Sequence, residues 1–211
     1  MGVILFVRHG QASVGAADYD VLSGTGRLQA ETLGTAFSQH GVSATRILTG
    51  RLNRQQQTAR CTRGAAKWSM SAEVDEAWNE FDHHHDVVAA HRTVDTPHAE
   101  PLDRAIPRWS SGRHDHDYTE PFPAFTKRVD SALRTLATEL ASGETAVVFT
   151  SAGVIGWVAA SLLGGGEPQW SALNRITVNS GVTKVVAGSR GSTLVTFNEH
   201  SHLPPQLVTY R

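Results

Sequence analysis

His9 lies between Arg8 and Gly10 at the end of an apolar run. A neutral imidazole nitrogen attacks phosphorus well when its other nitrogen is held by a hydrogen bond. Arg51 and Arg54 follow a second apolar stretch, and Thr150-Ser151-Ala152-Gly153 closes a third. Arg8, Arg54, one imidazole and a helix starting at Gly153 would together make a strong anion site. Gly10 lets backbone come close to a ligand. Arginine forks neutralise the equatorial oxygens of a phosphoryl group as charge moves. A carboxylic acid is still needed to protonate a leaving alkoxide. Glu80, after Trp78-Asn79 and beside Phe81, is the best candidate, because apolar neighbours favour the protonated form of a carboxyl. Glu76 is its rival. Arg51 reads as a rim residue.

Elements must bring these residues together. Residues 3–7 form a continuous apolar run that reads as a fully buried strand. Residues 25–40 read as a helix, with Leu28, Leu33, Ala36 and Phe37 on one face and Gly41 as a stop. A short strand at 46–49, a helix at 54–68 and a strand at 71–74 follow. Residues 83–121, rich in proline and of mixed charge, are too long for an ordinary connection and read as an irregular insert or lid. Residues 122–141 are the clearest helix, with Phe125, Val129, Leu133, Leu136 and Leu140 at helical spacing. A buried strand at 145–150, a helix at 153–163 and a hairpin of 181–187 with 193–198 complete the chain. Strands alternating with helices predict a single α/β domain, a three-layer sandwich around a mostly parallel sheet with helices on both faces. In such sheets ligands bind beyond the carboxyl ends of strands, where all three polar clusters fall.

These motifs, in this order, resemble the histidine phosphatase superfamily, which includes cofactor-dependent phosphoglycerate mutases. Arg8-His9-Gly10 is similar to that family's signature, as are Tyr19-Asp20-Val21-Leu22-Ser23, Gly26 and Gln29-Ala30. Arg51-Leu52-Asn53-Arg54-Gln55-Gln56-Gln57-Thr58-Ala59 resembles its second arginine motif. Trp78-Asn79-Glu80 resembles its proton-donor segment, and Asn198 with His202-Leu203 its C-terminal end. The resemblance implies a phosphoglycerate mutase-like fold. It implies transient phosphorylation of His9, with Arg8 and Arg54 on phosphate oxygens and Glu80 as acid and then base. Gly10, Gln11, Ser13, Ser151 and Ala152 would line the pocket. No metal or organic cofactor is implied. One position departs from the family, which usually carries Ser-His-Gly after the late strand. Ser151 stands where that second histidine is expected, and a hydroxyl brings no positive charge.

Other readings of the same residues are weaker. Ser151 would need glycine at position 149 to be a nucleophile elbow, and Phe149 is there. Gly24-Thr25-Gly26 lacks the third glycine of a dinucleotide loop. Seven of the eleven histidines lie between His83 and His116, but none is paired at the i, i+4 spacing of a helical zinc motif. One of them is a candidate to roof the pocket and supply the missing charge. The net charge of −1 argues against general nucleic-acid binding. Cys61 is the only cysteine, so no intrachain disulfide forms, which fits a reducing compartment. The opening apolar run is too short for a signal peptide, and no stretch is long enough to span a membrane. The expected protein is cytoplasmic, a monomer or homodimer, and acts on a small phosphorylated substrate or a phosphoprotein. Its expected activity is phosphomonoester hydrolysis. The alternatives are mutase-type phosphotransfer and a phospho-ligand-binding regulatory module with little turnover.

Overall fold

The computed structural model describes residues 1–13, 19–82, 86–87, 90 and 101–210, with side chains omitted at 101–104. The chain divides into two compact units, Met1–Glu80 with Ala132–Arg211, and Phe81–Ser131.

In the larger unit β1 (Gly2–Arg8), α1 (Gly24–Gln39), β2 (Arg46–Thr49), α2 (Asn53–Ala66) and β3 (Glu73–Val74) follow in order. A 3₁₀ turn at Glu76–Trp78 comes next. In the smaller unit lie α3 (Pro101–Ser110) and the first half of α4 (Phe122–Glu139). The chain then forms β4 (Thr145–Thr150), α5 (Ala152–Leu162), α6 (Glu167–Ile176), β5 (Val182–Gly188) and β6 (Gly191–Glu199).

The six strands make one mixed sheet in the order β3-β2-β4-β1-β5-β6. The first four neighbours run parallel, and the β5–β6 hairpin adds two antiparallel pairings. Alternate side chains go to opposite faces of a strand. Leu5, Val7, Ile47, Val147 and Phe149 pack with Leu33 and Phe37 of α1 and Ala59 and Ala66 of α2. The intervening Ile4, Phe6, Leu48, Ala146 and Val148 are equally buried, and Phe6 meets the Trp78 ring at 5.4 Å. Helix α5 contacts β1 and buries Val154, Ile155 and Val158. Burial on both faces is why these strands read as unbroken apolar runs.

The register sets the site. Arg8 lies opposite Thr150, and Thr49 opposite Phe149. The carboxyl ends of β1, β2 and β4 therefore finish on one edge. Two glycines let the loop after β1 press on the start of α1. A Cβ on Gly10 would sit 2.4 Å from Gly26 O, and one on Gly26 would sit 2.2 Å from Gln11 O.

Three features differ from the sequence expectations. Pro101–Ser110 is helical where irregular chain was expected, with Pro101 at its start and Pro107 tolerated inside. Glu167–Ile176 is a helix that the sequence reading missed. The hairpin turn is tighter than expected, with Gly188 paired to Gly191. Much of the expected 83–121 insert, at 83–85, 88–89 and 91–100, lies outside the described residues, as do five of its seven histidines. Within the smaller unit Phe81 stacks on Trp109 at 4.4 Å, and Phe122 and Phe125 close around the same indole. Asp86 accepts the Thr119 and Glu120 backbone N–H groups there, each at 2.9 Å.

Candidate active site

β1 delivers His9 to the sheet edge, and backbone bonds fix it there. His9 N donates to Thr150 O at 2.9 Å, and Ser180 N donates to Arg8 O at 3.0 Å. The His9 carbonyl accepts from Asn179 Nδ2 at 3.0 Å, and Gly10 N donates to Thr58 Oγ1 at 3.0 Å. The imidazole is buried. Its Nδ1 lies 2.8 Å from Gly10 O, a group that only accepts, and Arg54 Nε donates to Nε2 at 3.1 Å. These partners assign the proton to Nδ1 and the lone pair to Nε2.

Arg54 comes from the first turn of α2, and its side chain is 6% exposed. Its Nη1 donates to Asp20 Oδ1 at 2.7 Å, and the Tyr19 ring lies 5.6 Å from the guanidinium carbon. Asp20 Oδ2 also accepts from Asn53 N at 2.7 Å, at the positive end of α2. One carboxylate thus caps the helix and orients its arginine.

Arg8 is buried as well, at 9% exposure against 5% for Arg54. Arg8 Nη1 donates to the carbonyls of Thr177 and Tyr210, while Nε is buried without a hydrogen-bond partner among the described residues. Burial pushes its pKa down to about 10, against the pull of Glu80 and Tyr19, and the Arg54 charge pushes the same way as burial. It remains a cation at neutral pH.

Glu80 is buried, and its Oε2 accepts from Gly153 N in the first turn of α5 at 2.8 Å. Thr150 Oγ1 donates to Trp78 O at 2.6 Å, tying the proton-donor segment to the end of β4. Glu76 instead pairs with Arg51 at 3.1 Å, with both side chains about two-thirds exposed (67% and 65%). Ser151 is the buried residue that begins α5, ahead of Ala152, and its Oγ accepts from Gln55 Nε2 at 2.8 Å. Gln11 and Ser13 are half-buried. Gln11 N donates to Gln29 Oε1 and Gln11 Oε1 accepts from Ser23 Oγ, while Ser13 N donates to Val21 O at 2.8 Å.

The sequence matches the histidine phosphatase superfamily (branch 1) over residues 4–200. The chain belongs to the histidine phosphatase superfamily. It is an enzyme of the phosphatase type, with a family activity of phosphate-ester hydrolysis or phosphotransfer. No curated protein matches this histidine phosphatase significantly. Solved structures do. A mutant phosphoserine phosphatase from Entamoeba histolytica, in complex with phosphoserine, superposes with a TM-score of 0.73 at 18% identity, covering 97% of this chain and 100% of that one. The same organism's phosphoserine phosphatase in complex with 3-phosphoglyceric acid gives 0.70 at 17% identity, over 97% and 100%. Phosphoglycerate mutase from Bacillus anthracis gives 0.69 at 17% identity, over 95% and 94%. At these identities the likeness is one of fold.

Several residues of this phosphatase's site were not anticipated by sequence. Asp20 lay within a matched segment, but its bond to Arg54 spans 34 positions. Gln55 also lay within a matched segment, but its bond to Ser151 spans 96 positions, and Asn179 carried no signal in spacing or composition. No group of three or more metal-ligating side chains occurs among the described residues, and no described helix is long and apolar enough to cross a membrane.

Proposed function

We propose that this histidine phosphatase hydrolyses phosphomonoesters through a phosphohistidine on His9, with Glu80 as proton donor. The hydrogen bonds of His9 carry the reading, because they leave Nε2 with a lone pair and an arginine alongside it. A phosphoryl dianion arriving at this edge meets Arg54 and the unpartnered Nε of Arg8. Both neutralise its equatorial oxygens. Arg54 Nε–H turns from His9 to the phosphoryl group, which frees Nε2 to attack.

The Nε2–P bond forms while the bond from phosphorus to the ester oxygen breaks. Glu80 gives its proton to the departing alkoxide. The resulting carboxylate then takes a proton from water, whose oxygen attacks phosphorus. The P–N bond breaks, its electron pair returns to Nε2, and inorganic phosphate leaves. Gly10, Gln11, Ser13, Ser151 and Ala152 line the anion's path, and the start of α5 adds its dipole.

The relatives solved with phosphoserine and 3-phosphoglyceric acid support small phosphomonoesters as the substrate class. Residues 83–121 are proposed to set the choice within that class. The likeness to a phosphoglycerate mutase makes retained phosphate the second reading. Rapid quench of wild type with a phosphomonoester is expected to trap acid-labile, base-stable phosphate and to release inorganic phosphate. His9→Ala is expected to lose the trapped phosphate and turnover. Normal turnover in His9→Ala would refute the mechanism, and isomerised product without free phosphate would make the protein a mutase.

A further inference from the structure

We propose that Gln55 is a positioning residue that turns the Ser151 hydroxyl proton onto the bound phosphoryl group, a neutral pair serving where the family resemblance leads one to expect an imidazole. The inference rests on the site reading above.

Ser151 occupies the N-cap of α5, where a serine hydroxyl ordinarily accepts from the N–H two or three residues on. Here it makes no such bond. The N–H of Gly153 goes to Glu80 instead. The Ser151 oxygen is thereby released from capping, and it accepts from Gln55 Nε2 at 2.8 Å. An oxygen that accepts on one side presents its own hydrogen on another. With the carboxamide turned this way, no acceptor among the described residues takes that hydrogen, Gln55 Oε1 is likewise buried without a hydrogen-bond partner among them, and Ser151 is only 1% exposed. A buried donor without an acceptor is costly and rare. A phosphoryl oxygen beside His9 and Glu80 satisfies it.

Gln55 is built for this task. It is fully buried in the first turn of α2, directly after Arg54. Successive helix residues point about 100° apart. One turn therefore aims a guanidinium at His9 and a carboxamide at Ser151. Gly50 makes the room, because a Cβ there would lie 2.2 Å from Gln55 Oε1. Neither a carboxamide nor a hydroxyl titrates in the physiological range. The pair gives a donor of constant strength across the pH at which an imidazole, near 6.5, loses its charge.

Hydrolysis of p-nitrophenyl phosphate between pH 5 and 9 tests the proposal in wild type, Gln55→Glu, Gln55→Met, Ser151→Ala and the Gln55→Met/Ser151→Ala double variant. In Gln55→Glu the protonated acid still donates to Ser151. The ionised form only accepts, so it captures the serine's hydrogen. Its kcat/KM is expected to approach wild type at the acid end. It should fall about tenfold or more as the new carboxyl ionises. That fall should have no counterpart in wild type and should shrink when Ser151→Ala is added. Gln55→Met and Ser151→Ala are each expected to lose several-fold at every pH, and the double variant no more than the worse single, as coupled residues do.

Multiplicative losses in the double variant, or a Gln55→Glu profile parallel to wild type, would overturn the positioning role. Orthovanadate affinity, measured in the same variants with thermal unfolding as the folding control, reads the same coupling without turnover. Absence of phosphohistidine in wild type would instead overturn the reading of His9 and leave this coupling standing.

Discussion

At the scale of single residues, the hydrogen bonds around His9 favour a neutral Nε2, the atom proposed to attack phosphorus. Arg54 lies against Nε2 of His9, and a protonated Nε2 could not accept its N–H. Glu80 is the other titrating partner in the proposed cycle, and its role separates cleanly by leaving group. Glu80→Gln keeps the volume and still accepts the Gly153 N–H, but it carries no transferable proton. Alkyl phosphates, which leave as strongly basic alkoxides, should lose about 10²–10⁴ in kcat, the usual worth of general acid catalysis. Aryl phosphates with acidic leaving groups should lose far less in the phosphorylation step. Equal losses on both, read from single-turnover rates, would remove Glu80 as the acid. Glu76→Gln should change neither, because that carboxylate is spent on an exposed pair with Arg51. His9, Arg8, Arg54 and Glu80 were legible because each combines a reactive type with a strand end or an apolar flank. The partners that orient them were not. Asp20 on Arg54, Asn179 on His9 and Gln55 on Ser151 act across 34, 170 and 96 positions, which only the folded chain brings together.

At the scale of elements, strands were legible where burial on both faces leaves an apolar run, and α4 where one face repeats at helical spacing; α1 was legible as a helix, but Leu28, assigned to its apolar face, is 53% exposed while Leu33 and Phe37 are buried. α6 escaped because Trp170 is its only fully buried side chain, so little periodicity survives. Its local signals were Pro168 in the first turn and Gln169, which accepts from Gly166 N at 3.0 Å. α3 escaped because its prolines were read as breakers. The segment that closes the chain, from a 3₁₀ turn at Pro205–Leu207 onward, has a larger role than its irregular form suggests. Gln29 of α1 donates to Leu207 O and Thr209 Oγ1, and Thr209 Oγ1 donates to Asn179 Oδ1. Asn179 in turn holds the His9 carbonyl, and Tyr210 O receives Arg8. Residues 207–210 therefore brace both motif residues from behind. Thr209→Val keeps the shape and removes both hydroxyl bonds. It should cost about 1–3 kcal/mol in urea unfolding, as buried groups lose their partners. It should also lower kcat/KM, because His9 and Arg8 lose a shared support. Lost stability with unchanged kcat/KM would make the segment structural only.

At the scale of the whole molecule, every residue of the proposed chemistry belongs to the larger unit, and Glu80 is its last residue before the chain enters the smaller one. The larger unit also contains polar features that catalysis does not use. A cavity of about 1090 Å³ opens between α1 and the β5–β6 hairpin, lined by Val3, Leu5, Lys184, Glu199 and His202. Val3 and Thr145, at the starts of β1 and β4, place it at the end of the sheet away from His9. His202 has a buried Nε2 without a hydrogen-bond partner among the described residues. Burial pushes its pKa below the usual histidine value of 6.5; Glu199 pulls it back up, and His200 pushes it further down. Between the folded value and 6.5 the unfolded chain binds this proton and the native chain does not, so native stability falls as pH drops through that window. Above 6.5 the contribution is complete. Glu199, whose own pKa is lowered despite burial by its bonds to Ser201, adds a loss on acidification only below its ordinary 4.5. The loss from His202 thus begins at 6.5 and that from Glu199 only below 4.5. The melting temperature of wild type should be level from pH 8 to 7 and decline below 6.5. His202→Gln, which cannot titrate, should lose part of that decline while leaving the steeper fall below 4.5 in place. A His202→Gln curve parallel to wild type from pH 7 to 5 would mean that the imidazole escapes burial on protonation, and the acid sensitivity would then belong to other groups.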